Sequence, residues 1–282
     1  MTPICAQPLA LDDRQRAMLS VMGVRVWPAH EIPVHDTVLA QTANPPGQLV
    51  ASNASPRMAI QPSAHEAPAS TQLPAAQATA TTGLDWGQLK AAVQACTSCG
   101  LCQQRRQTVF GTGSPSDTPD TAPKVKWLIV GEAPGEQEDA QGLPFVGPAG
   151  QLLDQMLKAV GLSRSSNAGG GVYIVNTLKC RPPGNRNPQP QELAQCAPWL
   201  RRQIELLQPT LILAMGRFAA QSLLHDQAGI EQAPLGRLRG TVHRAHGRPV
   251  VVSYHPAYLL RSPAEKAKAW EDLVLAKQIA NL

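Results

Sequence analysis

Between Lys126 and Lys158 the chain passes from an unbroken aliphatic run, Trp127 to Val130, through a turn rich in glycine, proline and acids. It then reaches apolar residues at helical spacing: Leu152, Leu153, Met156, Leu157 and Val160. An aliphatic run cut off by glycine predicts a strand buried on both faces of a parallel sheet. The unit therefore reads as strand, long turn over 131–150 and helix from Gln151. In open α/β sheets, ligands bind at the carboxyl ends of such strands. Further strands are predicted over Val172–Leu178, Thr210–Met215 and Arg248–Tyr254, with helices over 85–95, 190–207, 216–224 and 263–279. Strands alternating with helices predict an α/β fold in three α/β/α layers, with a central four-stranded parallel sheet.

The pattern breaks down upstream. Residues 11–27 hold a short helical pattern (Met18, Leu19, Met22) that ends at Gly23 and is followed by Val24, Val26 and Trp27. Residues 28–83 are dominated by Pro, Ala, Gln, Ser and Thr and hold too little apolar surface to offset chain entropy. Three parts are expected: a short docking-like segment over 1–27, a disordered linker over 28–83 and one folded domain over 84–282.

Composition adds constraints. With 282 residues, 43% of them hydrophobic, the chain can bury one good core and carry extra material. A net charge of +5 suits an anionic partner. No apolar run approaches the roughly 18–20 residues that span a bilayer, and the N-terminus has no basic stretch leading into an apolar one. A cytoplasmic protein with reduced cysteines is expected.

Those cysteines are grouped. Cys96 and Cys99 form a CxxC, with Cys102 close behind, and Cys180 and Cys196 follow some way downstream. Four thiolates from two segments suit a structural zinc or an iron–sulfur cluster, and spacing does not separate the two. Unconnected buried cysteines are the third reading.

Four stretches carry a resemblance: GEAPGEQED (131–139), the PFVGPAG that follows, VNTLKCRPPGNRNP (175–188) and HPAYLLR (255–261). In this order they closely resemble the family 4 uracil-DNA glycosylases, over about 84–282. The resemblance implies a bacterial enzyme that flips uracil out of DNA and hydrolyses its N-glycosidic bond. It leaves an abasic site and so starts base excision repair. It also implies a [4Fe–4S] cluster on Cys96, Cys99, Cys180 and Cys196, with Cys102 spare.

Particular roles follow from the same resemblance. Asn176 would read the uracil edge, since one amide can pair with N3–H and O4 together, whereas cytosine presents the reverse pattern. Phe145 would stack on the extruded base, and His255 would donate to O2 as charge develops there. In the family 1 glycosylases the comparable turn resembles GQDPYH, with the water-activating Asp third. Ala133 stands at that place here, so Glu132 is the proposed substitute, and backbone N–H groups of 131–135 could also meet the base. Glu138 and Asn185 read as loop braces within the binding site.

Leu259 and Leu260 resemble the apolar wedge that fills the gap behind a flipped nucleotide, with Arg261 placed for phosphate. Lys179, Arg181 and Arg186 put positive charge beside the second-strand loop. Residues 14–27 are weakly similar to the N-terminal segment of the bacterial DNA polymerase III psi subunit. That implies clamp-loader proteins as partners, with packing against the domain as the alternative. A monomer without membrane contact is expected. A glycosylase of broader deaminated-base range, a non-catalytic metal-stabilised nucleic-acid-binding module and an electron-transfer protein are the competing readings.

Overall fold

Side chains alternate along the central strands and so divide the core in two. Leu128 and Val130 join one apolar cluster, while Trp127 and Ile129 join the other. A computed structural model describes residues 13–21, 81–114, 125–165 and 171–281. Most of the linker (28–80) lies outside these residues, as do Val24 to Trp27, 115–124 and the Gly169–Gly170 part of the turn before the second aliphatic strand.

The sheet has six strands: β1 (Thr112–Gly113), β2 (Trp127–Gly131), β3 (Val172–Asn176), β4 (Leu211–Met215), β5 (Val242–Ala245) and β6 (Arg248–Ser253). Their order is β1-β3-β2-β4-β6-β5. The middle four are parallel, as the aliphatic runs predict, and β1 and β5 add antiparallel edges. The expected four-stranded sheet is thus the centre of a larger one. β5 escaped prediction because it lies at an edge, with Val242 and Arg244 exposed and only Ala245 buried. His246 and Gly247, both at positive φ, close the β5–β6 hairpin.

The helices are α1 (Asp13–Val21), α2 (Trp86–Ala95), α3 (Glu136–Gln141), α4 (Pro148–Ala159), α5 (Pro190–Leu207), α6 (Arg217–Leu224), α7 (Leu235–Leu238), α8 (Pro256–Arg261) and α9 (Lys266–Ala280). Apolar faces of α2, α5 and α6 cover one side of the sheet. Those of α4 and α9 cover the other. The result is the expected three layers. Two details correct the sequence reading: the 131–150 turn contains α3, and α4 starts at Pro148, whose fixed φ suits a first helical position.

α1 packs against α4, with Leu19 only 3% exposed and Met18 resting on the same apolar cluster. Among the described residues no helix is long and apolar enough to cross a membrane.

Candidate active site

The parallel strands end together at Gly131, Asn176, Met215 and Ser253, and a cleft of about 750 Å³ opens over those ends. Its floor is Asn176, 2% exposed, whose side-chain oxygen is buried without a hydrogen-bond partner. A buried polar atom left unpaired is costly unless something else supplies the partner. Gly131 is what lets this amide in. A Cβ there would lie 2.4 Å from Asn176 Oδ1 and 2.6 Å from the Phe145 ring.

Phe145 is buried at φ 55°, a strained backbone for a bulky residue. Its ring stacks on that of His255, with centroids 5.4 Å apart and planes at 28°. His255 ends the β6 segment and caps α8: its Nδ1 accepts the backbone N–H of Ala257 at 3.1 Å. Nδ1 therefore carries no proton, and in the neutral ring Nε2–H is the remaining donor. Burial, helped by the Arg261 charge and opposed by Glu138, holds the imidazole down at about 4. It is neutral at physiological pH.

Two acids line the cleft in different states. Glu138 accepts the backbone N–H groups of Gly135 (3.1 Å), Val146 (3.0 Å) and Gly147 (3.3 Å), tying the two ends of the turn together. That is the bracing expected of it. Among the described residues the Glu132 carboxylate has no hydrogen-bond partner; burial raises its pKa and Arg217 opposes the rise. The Glu132 carbonyl takes the backbone N–H of Leu178 and the hydroxyl of Thr177, which fixes the residue beside β3. Ala133 lines the cleft without a polar side chain. Asn185, also at positive φ, accepts from Arg181 Nε at 2.7 Å and so holds that guanidinium at the rim.

Two residues expected to touch DNA, Lys179 and Leu259, are placed otherwise. Lys179 is 2% exposed and donates to the carbonyl of Asn176 at 2.7 Å, so it cannot meet a phosphate. Burial lowers its ammonium to about 8, against the pull of Cys196 and Cys180. Leu259 is wholly buried in the core under α8, whereas Leu260 is 45% exposed, so of the two only Leu260 is open to a partner. Arg186 lines the cleft, partly exposed, with both oxygens of Glu192 engaging it at 2.5 and 2.9 Å. Arg261 is exposed on the cleft wall as expected.

Sequence reading missed Arg217, exposed on that wall and stacked 4.9 Å over Phe218. It also missed Asp139, a buried carboxylate accepting the backbone N–H of Arg106 at 3.0 Å and of Gln107 at 3.4 Å. The charge of Asp139 inside an acidic run gave no sign of burial.

A second, small pocket gathers the five cysteines Cys96, Cys99, Cys102, Cys180 and Cys196. Arg105 donates to Cys180 Sγ at 3.2 Å, and the Lys179 backbone N–H lies 3.3 Å from Cys196 Sγ. Burial pushes the Cys196 thiol up to about 12, with Lys179 opposing, so as a free thiol it is a poor nucleophile. Among the described residues, no three Cys, His, Asp or Glu side chains are arranged as ligands of a single metal ion.

Residues 118–274 match the family model described as Uracil DNA glycosylase superfamily. The chain is 39% identical over 175 residues to a type-4 uracil-DNA glycosylase of Archaeoglobus fulgidus, covering 61% of this chain and 81% of that one. A type-4 enzyme of Pyrobaculum aerophilum is 37% identical over 196 residues, or 68% of this chain and 93% of the relative. One of Thermotoga maritima is 37% identical over 188 residues, 66% and 89% respectively. The chain belongs to the uracil DNA glycosylase superfamily and, within it, to the type-4 enzymes.

Proposed function

We propose that this protein is a uracil-DNA glycosylase that extrudes uracil from DNA and hydrolyses its N-glycosidic bond, leaving an abasic site for base excision repair. The observation that carries the reading is the unpartnered side-chain oxygen of Asn176, buried on the cleft floor beside Phe145. Uracil N3–H supplies the missing donor, and uracil O4 accepts from the same amide. Cytosine has an acceptor at N3 and a donor at C4, so it would leave the buried oxygen unpaired and set two donors against each other.

The C1′–N1 bond breaks with its electron pair staying on the base. The negative charge on O2 then accepts the Nε2–H of neutral His255, a pre-oriented donor that need not be deprotonated or reorganised. Water adds to C1′ of the sugar cation, and the proton it loses neutralises the uracil anion, by way of solvent. Glu132 is the carboxylate available to orient that water, since Glu138 is taken up by three backbone N–H groups. Arg261 and Arg217 are the cations that meet phosphate, and Leu260 fills the vacated stack.

Single-turnover excision from a U:G duplex tests this. Asn176→Ala should lower the rate by at least ~10²-fold. A near-normal rate would remove the edge-reading role.

The same reading assigns a [4Fe–4S] cluster to Cys96, Cys99, Cys180 and Cys196. An all-thiol donor set around one pocket supports it, as do the N–H···S bonds from Arg105 and Lys179, which suit thiolate sulfurs. When bound, such a cluster ties the segment after α2 to the loop after β3 and to α5. A clamp-loader contact through residues 14–27 is a separate proposal. With Leu19 turned inward, it would use the outer side of α1, where Val21 is 50% exposed.

A further inference from the structure

Tyr258 stands at the rim of the cleft, 37% exposed, with its ring centroid 5.0 Å from that of Tyr254. Tyr254 is fixed from behind. The Arg239 guanidinium lies 4.4 Å from its ring centroid. Arg239 is in turn held by a 2.7 Å ion pair to fully buried Asp272 and by a hydrogen bond to the carbonyl of Lys268. A solvent-facing ring packed at 39° against a second ring, which a cation and a buried carboxylate hold in place, is a firmly supported aromatic surface. It adjoins His255, at the mouth through which an extruded nucleotide would enter.

Extrusion of one nucleotide leaves its neighbour with an unstacked face. Aromatic rings on firm supports bind such faces whatever the base, since every base has one. We propose that Tyr258, backed by Tyr254, is a stacking subsite for the nucleobase adjacent to the extruded uracil. The subsite rests on the uracil-DNA reading above, but it concerns a different part of the substrate. It takes purines in preference to pyrimidines, because the larger ring system covers more of the platform.

The test is a double-mutant cycle on kcat/KM. It uses single-stranded oligonucleotides containing one uracil, with the 5′ or the 3′ neighbour replaced by a baseless tetrahydrofuran residue. Tyr258→Ala should cost about tenfold or more on the intact strand, the scale of one stacked base. Tyr258→Phe, which keeps the ring, should restore the rate. On the strand lacking the relevant neighbour, Tyr258→Ala should cost almost nothing. Additive effects at both neighbours would overturn the subsite. Failure of the unaltered enzyme to excise uracil from both the intact strand and the U:G duplex would instead overturn the glycosylase reading, so the two failures are distinguishable.

Discussion

Lys179 Nζ lies 2.7 Å from the carbonyl oxygen of Asn176, and both residues are about 2% exposed. The next residue is Cys180, and the Lys179 backbone meets Cys196. One buried residue therefore links the strand end that carries the Asn176 amide to the cysteine pocket. A charged donor on a buried carbonyl contributes about 1.5–3 kcal/mol.

Lys179→Met keeps the stem and removes the donor. It should lower the excision rate by about tenfold or more while circular dichroism shows the fold retained, because Asn176 loses its anchor. Lys179→Arg should recover part of the rate if the hydrogen bond is what matters. A Met variant with unchanged excision would show that Lys179 serves only the cysteine side.

The Lys179–Asn176 contact also marks the limit of what the sequence made legible. The aliphatic runs at 127–130, 172–175 and 211–215 could only be buried strands, so the parallel centre of the sheet was readable. Asn176 and His255, which both line the cleft, were picked out by the VNTLKCRPPGNRNP and HPAYLLR stretches; the apolar pattern alone ran the second strand on to Leu178. The burial of Lys179 was not readable. A lysine beside a loop reads as surface, since lysines are almost never fully buried without a partner, and its partner here is a backbone carbonyl that no sequence pattern displays. Leu259 and Leu260 are chemically alike, and only the phase of a six-residue helix decides which one enters the core. No sequence pattern showed that Glu192, in the first turn of the next helix, would engage Arg186.

The state of His255 gives a pH prediction. Its imidazole is held at about 4, against about 6.5 in an unfolded chain, so the fold favours the neutral form. Excision should stay level from pH 8 down to about 5 and fall as pH passes 4, when Nδ1 takes a proton and can no longer accept the Ala257 N–H that orients the ring. Stability follows the same direction. Between pH 6.5 and 4 the unfolded chain binds more protons than the folded one, so unfolding free energy decreases across that window as pH falls. The loss is on the order of 3 kcal/mol and is absent above pH 6.5. Denaturant melts of the unaltered chain and of His255→Gln at pH 7 and pH 4.5 would check it. Equal pH sensitivity in the two proteins would mean that other groups carry the effect.

The cysteines should separate cleanly in metal analysis. Cys196→Ser or Cys99→Ser should lose iron, sulfide and the broad absorption near roughly 400 nm expected of thiolate-bound iron–sulfur centres. Cys102→Ser should keep all three, although its thiol lines the same pocket. Colourless protein with stoichiometric zinc would contradict the assignment.

The N-terminal helix can be tested by removing residues 1–80, so that the chain starts at buried Thr81. None of the residues assigned here to the cleft or the cysteine pocket lies in that stretch. Its described contact with the domain is α1 on α4, where Leu19 is buried and Met18 rests on the apolar cluster. Burying one leucine contributes about 1.5–3 kcal/mol. The shortened chain should therefore melt a few degrees lower and excise uracil within about threefold of the full chain. Leu19→Ala in the full chain should reproduce much of that melting shift, because the same apolar contact is lost. If α1 also serves clamp-loader proteins, pull-down from extract should fail with the shortened chain and survive in Leu19→Ala, since the leucine faces the domain. A shortened chain that unfolds, or that loses excision while folded, would show instead that the N-terminal segment is part of the catalytic fold.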